Sequence, residues 1–133
     1  MTAQPIRQGD VFLLPVADLP ESAAIPAERG NLIMARGEVT GHAHFVPGAH
    51  ATLLHPVDAM RRIAEEFGVT DPRGVIAALR VDQATTLFHG TPTSDPAGPV
   101  DYDHTALPLE VGNYLVIQPR EYTGEDDFRV VAD

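Results

Sequence analysis

Prolines and glycines set the scale of the structure this chain can build. There are 12 prolines and 11 glycines in 133 residues, and the apolar runs between them are short. Val11-Phe12-Leu13-Leu14-Pro15-Val16, Leu32-Ile33-Met34-Ala35, Ala51 to His55, Val75 to Val81, Thr85 to His89, Val111 to Gln118 and Phe128 to Val131 read as strands. Arg7-Gln8-Gly9-Asp10 reads as a turn or strand entry. Asp18 to Arg29, with Pro20 and Pro26, reads as a surface loop, and so does Gly90 to Asp103, with Pro92, Pro96, Gly98 and Pro99. One segment has helical periodicity, Asp58 to Phe67, where Ala59, Ile63 and Phe67 recur at spacing four and Met60 and Ala64 widen the face. Pro56 before it and Gly68 after it match start and stop signals. The spacing predicts that Ala59, Ile63 and Phe67 pack on a sheet. Together these features predict a single mostly β domain over residues 1–133. Its expected form is a small antiparallel β barrel or sandwich with one α-helix near 58–67.

Composition narrows the chemistry. A chain that is 44% hydrophobic can bury a core. With no cysteine, it has neither disulfides nor thiolate metal sites. Lys and Arg total 9 against 19 Asp and Glu, for a formal net charge of −10. That balance argues against a nucleic-acid partner, which normally needs a basic stripe. A small molecule or a protein is the partner class left. Met1 to Asp10 lacks a basic stretch followed by an apolar one, so no signal peptide is expected there. No apolar run approaches the ~20 residues of a membrane span. The expected compartment is the cytoplasm.

Histidines carry the chemical signal. Six occur, at positions 42, 44, 50, 55, 89 and 104. His42 and His44 follow Gly41 and enter the apolar Phe45-Val46. On a strand, residues i and i+2 share a face, so the pair presents two imidazoles together. Neutral imidazole ligates Zn, Fe, Ni or Cu. Further ligands must come from elsewhere in the fold. His89 ends one strand, and His104 stands at the far end of the proline-rich loop that follows it. If the flanking strands are adjacent, His42, His44, His89 and His104 form an all-imidazole set. Glu38, between Gly37 and Gly41, is a candidate oxygen ligand or general base. His50 and His55 follow the Pro47-Gly48 turn and read as loop and strand-end histidines.

Two resemblances follow from these residues. His42-Ala43-His44, with His104 as a distant histidine, resembles the metal-binding motif of the cupin superfamily, which implies a β barrel holding a metal. The chain departs from that pattern at Gly48 and Ala49, where a glutamate is expected. The second resemblance covers most of the chain. Arg7-Gln8-Gly9-Asp10-Val11, Gly37 to His44, Gly112-Asn113-Tyr114 and Gln118-Pro119-Arg120-Glu121-Tyr122 look like a small uncharacterised family of bacterial and phage-borne proteins. In that family a His-x-x-His segment precedes a Gln-Arg-Glu-Tyr block. The similarity implies that His89 and His104 belong together, with residues 90–103 an insertion between them.

Other features point less sharply. Arg120-Glu121-Tyr122 offers a guanidinium for an anionic group or a strand-end ion pair. Glu125-Asp126-Asp127 reads as a solvated turn. Ser22 and Ser94 lack the Gly-x-Ser-x-Gly setting of a nucleophile, and no glycine-rich phosphate loop is present. The sequence therefore predicts a divalent transition metal (Zn, Fe, Ni or Mn) held by His42, His44, His89 and His104. With an open coordination position and Glu38 as base, such a site supports metal-assisted hydrolysis or a cupin-like oxidation or isomerisation. The alternative is a non-catalytic acidic accessory or regulatory module, with a structural metal or none.

Overall fold

The computed structural model describes residues 4–36, 41–92 and 102–119, with residues 102–105 described by backbone alone. The expected strand at Phe128 to Val131, Glu38, and the Arg120-Glu121-Tyr122 and Glu125-Asp126-Asp127 segments lie outside the described residues.

Nine strands and one α-helix are described. They are β1 (Ile6–Gln8), β2 (Val11–Val16), β3 (Asn31–Arg36), β4 (Ala43–Pro47), β5 (Ala51–Leu54), α1 (Asp58–Glu66), β6 (Val75–Val81), β7 (Thr85–Gly90), β8 (Tyr102–Leu109) and β9 (Gly112–Ile117). The strands form two antiparallel sheets, ordered β1-β2-β9-β6-β5 and β3-β4-β7-β8. Of the two expected architectures the chain adopts the sandwich, since the two sheets do not close into one barrel.

The main core lies between the sheets. Val11 and Leu13 of β2, Ala77, Leu79 and Val81 of β6, and Tyr114 and Val116 of β9 meet Leu32, Met34, Val46, Leu87 and Leu109 of the other sheet. A second core covers the opposite face of the five-stranded sheet. There Leu54, Val75, Ala78, Leu115 and Ile117 pack against Met60 and Ala64 of α1. The five-stranded sheet is thus the middle layer of three. β6 serves both cores, with a register shift between Val75 and Ala77. A bulge inserts one residue and resets the alternation, so Val75 and Ala78 face the helix while Ala77 and Leu79 face the other sheet.

The loop after β2 is tied down where it passes β5. Ala24 forms a bridge with Leu54. The Ile25 amide donates to the Leu53 carbonyl (2.7 Å) and the His55 amide to the Ala23 carbonyl (2.9 Å).

The helix ends one residue earlier than its periodicity suggests, and its buried face is rotated. Met60 and Ala64 are fully buried and Ile63 packs beside them, whereas Phe67 is 59% exposed. Phe67 is the C-cap (φ −85°, ψ 1°), with Gly68 at φ 91° after it. The chain leaves the helix at this point, which takes the Phe67 ring off the apolar stripe. Placing Phe67 on the sheet is therefore incorrect.

Two predictions follow from this packing. Met60→Ala lowers stability by about 2–5 kcal/mol through lost burial and a residual cavity. Phe67→Ala stays within about 0.5 kcal/mol of wild type, as exposed substitutions do. Urea denaturation of the two variants checks both. Tyr114 supplies a third prediction. Burial, and then the nearby Glu110 charge, raise its phenol above the usual pKa of 10.0. Its hydroxyl donates to the Glu110 carbonyl at 2.8 Å. The folded state holds this proton more tightly than the unfolded chain does. The resulting stabilisation is complete below about pH 10 and is lost as pH rises through the higher folded value. In denaturant titrations above pH 10, Tyr114→Phe flattens the decline relative to wild type.

Candidate functional site

The histidines of interest are delivered by neighbouring strands of the four-stranded sheet. His44 of β4 lies opposite His89 of β7, and His89 lies opposite His104 of β8. The three residues form one row across three strands. His44 is 1% exposed and His89 7% exposed. Strand alternation puts His44 on the face of Val46 and His89 on the face of Leu87, and both of those side chains belong to the inter-sheet core. The His44 and His89 side chains therefore sit inside the sandwich. The outer face of the same strands carries Phe45 against Phe88, with ring centroids 5.5 Å apart.

The His44 and His89 rings stack, with centroids 3.7 Å apart and planes inclined by 17°. Imidazole lone pairs lie in the ring plane. Near-parallel stacked rings hold them in separate planes, so ligation of one ion by both requires one ring to turn. His42 is half-buried and precedes the first residue of β4, outside the ladder that fixes His44. His50 closes a 3₁₀ turn, Gly48–His50, and its carbonyl accepts from the Asp82 amide at 2.7 Å. His55 is exposed. Both fit the structural roles expected of them. Among the described residues, His, Asp and Glu side chains do not gather in threes at ligand distance.

Two residues that the histidine pattern does not reveal complete the site. Gln8 of β1 reaches across from the five-stranded sheet. Its Nε2 donates to the Leu87 carbonyl at 3.1 Å, and its Oε1 lies 2.9 Å from His44 Nδ1. A carbonyl only accepts, so Leu87 fixes which end of the Gln8 amide points where. Oε1 then faces His44 and can only accept, so Nδ1 of His44 carries a proton. In the neutral ring the lone pair is consequently on Nε2, and Nε2 lies 3.4 Å from Asp10 Oδ1.

Asp10 is placed by a turn. Gln8 pairs with Val11, which leaves Gly9-Asp10 as a two-residue hairpin loop. Gly9 has φ 60°, the conformation a type II′ turn requires at its first central position. The other Asp10 oxygen, Oδ2, accepts from Gln118 Nε2 at 2.9 Å. Gln118 is held through its backbone N–H, which donates to the Gly74 carbonyl at 2.9 Å. A Cβ on Gly74 would stand 3.0 Å from the Gln118 carbonyl oxygen, so glycine permits this approach.

A sequence signal for Gln8 does exist. Ile6 and Gln8 share a face of β1 by alternation, and Ile6 packs on the inter-sheet core. Gln8 is thus a polar residue at a core position. The arrangement predicts that an imidazole ¹⁵N spectrum shows the His44 Nδ1 protonated. It also predicts that Gln8→Leu is destabilising. That change removes the partner of the Leu87 carbonyl and of His44 Nδ1, at about 1–3 kcal/mol for each buried group, read from the urea midpoint.

Comparison with known proteins adds the family and no activity. No curated protein and no solved structure matches the chain. Residues 7–119 match a domain family described as a domain of unknown function, DUF8820. That span begins just before Gln8 and Asp10 and includes all six histidines and Gln118, so the chain belongs to the DUF8820 family.

Proposed function

We propose that this chain is a metal-binding β-sandwich domain, with a divalent transition metal (Zn, Fe, Ni or Mn) held at the inner end of the histidine row. The observation that supports this reading is the register that sets His44, His89 and His104 side by side on adjacent strands. Of these, His44 and His89 are buried in a largely apolar core. Buried imidazoles need polar partners, and Gln8 holds His44 with Nε2 as its lone-pair nitrogen. Orientation of a ligating imidazole through a hydrogen bond at its other nitrogen is the usual arrangement at metal sites. His42 and His104 are the further ligands we assign. His89 joins them by turning out of its stack or, stacked, holds the ring of His44 in place. Cysteine-free ligation by imidazole and oxygen suits Zn, Fe, Ni and Mn alike.

If the site is catalytic, Glu38 is the proton acceptor in a hydrolysis or a cupin-like reaction. In that case Glu38→Gln keeps metal affinity and abolishes turnover. In a non-catalytic accessory module the same substitution is silent.

The metal itself is tested first. Native mass spectrometry after loading at neutral pH is expected to show one metal ion per chain. His44→Ala is expected to remove it, and His104→Ala to weaken it. Wild-type protein that stays metal-free after loading with each of the four ions overturns the proposal.

A further inference from the structure

We infer that Asp10 is an oxygen ligand of this metal, paired with His44 Nε2, and that Gln8 is the residue that positions the imidazole for it. The inference rests on the histidine-ligated metal proposed above and adds a carboxylate from the opposite sheet. Three observations lead to it.

The first is the spacing. Nε2 of His44 and Oδ1 of Asp10 are 3.4 Å apart. A charge-assisted N–H···O bond between imidazolium and carboxylate closes to about 2.7–2.9 Å, so the pair is too far apart for a good one. Two ligands at about 2.0–2.2 Å from a tetrahedral ion stand about 3.4 Å from each other. The separation is that of neighbouring ligands around an ion.

The second is the tautomer. Gln8 requires Nδ1 to be the protonated nitrogen of the neutral ring. The Nε2 lone pair then faces the Asp10 carboxylate, the disposition of two ligands that share one cation.

The third is the way Asp10 is held. Its Oδ2 is bound by Gln118, which leaves Oδ1 directed at His44 and fixes the carboxylate plane. A ligating carboxylate braced by an outer hydrogen bond, beside a ligating histidine braced by another, is the arrangement that tunes metal affinity. The side chain of Asp10 is 32% exposed, so this end of the sandwich is open to an entering ion. Gly9 is the condition for all of this, because its positive φ sets the turn that carries Asp10. The remaining coordination positions fall to His42, His104 and water.

The test compares wild type, Asp10→Asn, Gln8→Glu and His44→Gln. Zn²⁺ binding is measured by calorimetry, Co²⁺ binding by visible absorption, and folding by circular dichroism. Asn keeps the shape of Asp10 and its bond with Gln118, so the fold is retained. If Asp10 is a ligand, Asp10→Asn weakens Zn²⁺ binding by more than the about 10–100-fold typical of an outer partner and changes the Co²⁺ spectrum. Gln8→Glu keeps an acceptor for Nδ1 and therefore preserves the Co²⁺ spectrum, with no greater loss of affinity than an outer partner gives. If Asp10→Asn binds Zn²⁺ as wild type does, with an unchanged Co²⁺ spectrum, while His44→Gln does not bind, Asp10 is not a ligand and the histidine site stands. Wild-type protein that binds neither ion overturns both.

Discussion

The five-stranded sheet has to bury both of its faces, and the rest of the structure is arranged around that requirement. On one side it meets β3, β4, β7 and β8, and on the other it meets α1. A sheet covered on both sides needs strands that are apolar throughout. β6 from Val75 to Leu79 and β9 from Tyr114 to Ile117 have that character at the centre of the sheet. The helix layer keeps Arg62, Glu65 and Glu66 exposed on its far side. β9 serves the two cores by plain alternation, and the bulge in β6 turns Val75 to the helix side.

Against this apolar background the Gln8, His44, Asp10 and Gln118 cluster stands out. Each link joins parts of the chain that are far apart in sequence. Gln8 ties the first hairpin to β4 and β7, and Gln118 ties the end of β9 to the same hairpin. Networks of this kind are costly when half satisfied and specific when complete. The first hairpin thereby becomes part of the site rather than a terminal appendage. Its turn sets the carboxylate, and its inward glutamine sets the tautomer of an imidazole on the other sheet.

Much of the fold is legible in the sequence because short apolar runs bounded by proline and glycine translate directly into strands. Val75–Val81 has the bounds its composition suggests, and α1 lies between its Pro56 and Gly68 signals. β8 is harder to read. It begins Tyr102-Asp103-His104, which looks like loop, and it contains Pro108. The strand lies at the edge of its sheet, where a missing N–H need not cost a ladder bond. Pro15 in β2 is accommodated for a related reason, since pairing with β1 stops at Leu13. The helix face misleads because Phe67 continues the spacing of Ala59 and Ile63 after the helix has ended. For the site, the sequence singles out His44, His89 and His104, and the ladder lines them up. Gln8 and Asp10 are not singled out, because their role arises from a contact between sheets. Periodicity within one strand carries no information about what stands across from it.

The loop that follows β2 has a consequence for how this chain behaves in a crowd. β5 is the last strand of its sheet, and an open last strand is a template on which another chain can add. Here residues 23–25 lie along it, through the Ala24 bridge to Leu54 and the bonds of Ile25 and His55. Pro20 and Pro26 flank that short contact, and proline cannot donate to a ladder. The loop satisfies β5 without becoming a strand that would itself invite a neighbour. Protection of this one edge against strand addition is thus written into a segment whose composition reads only as a connection.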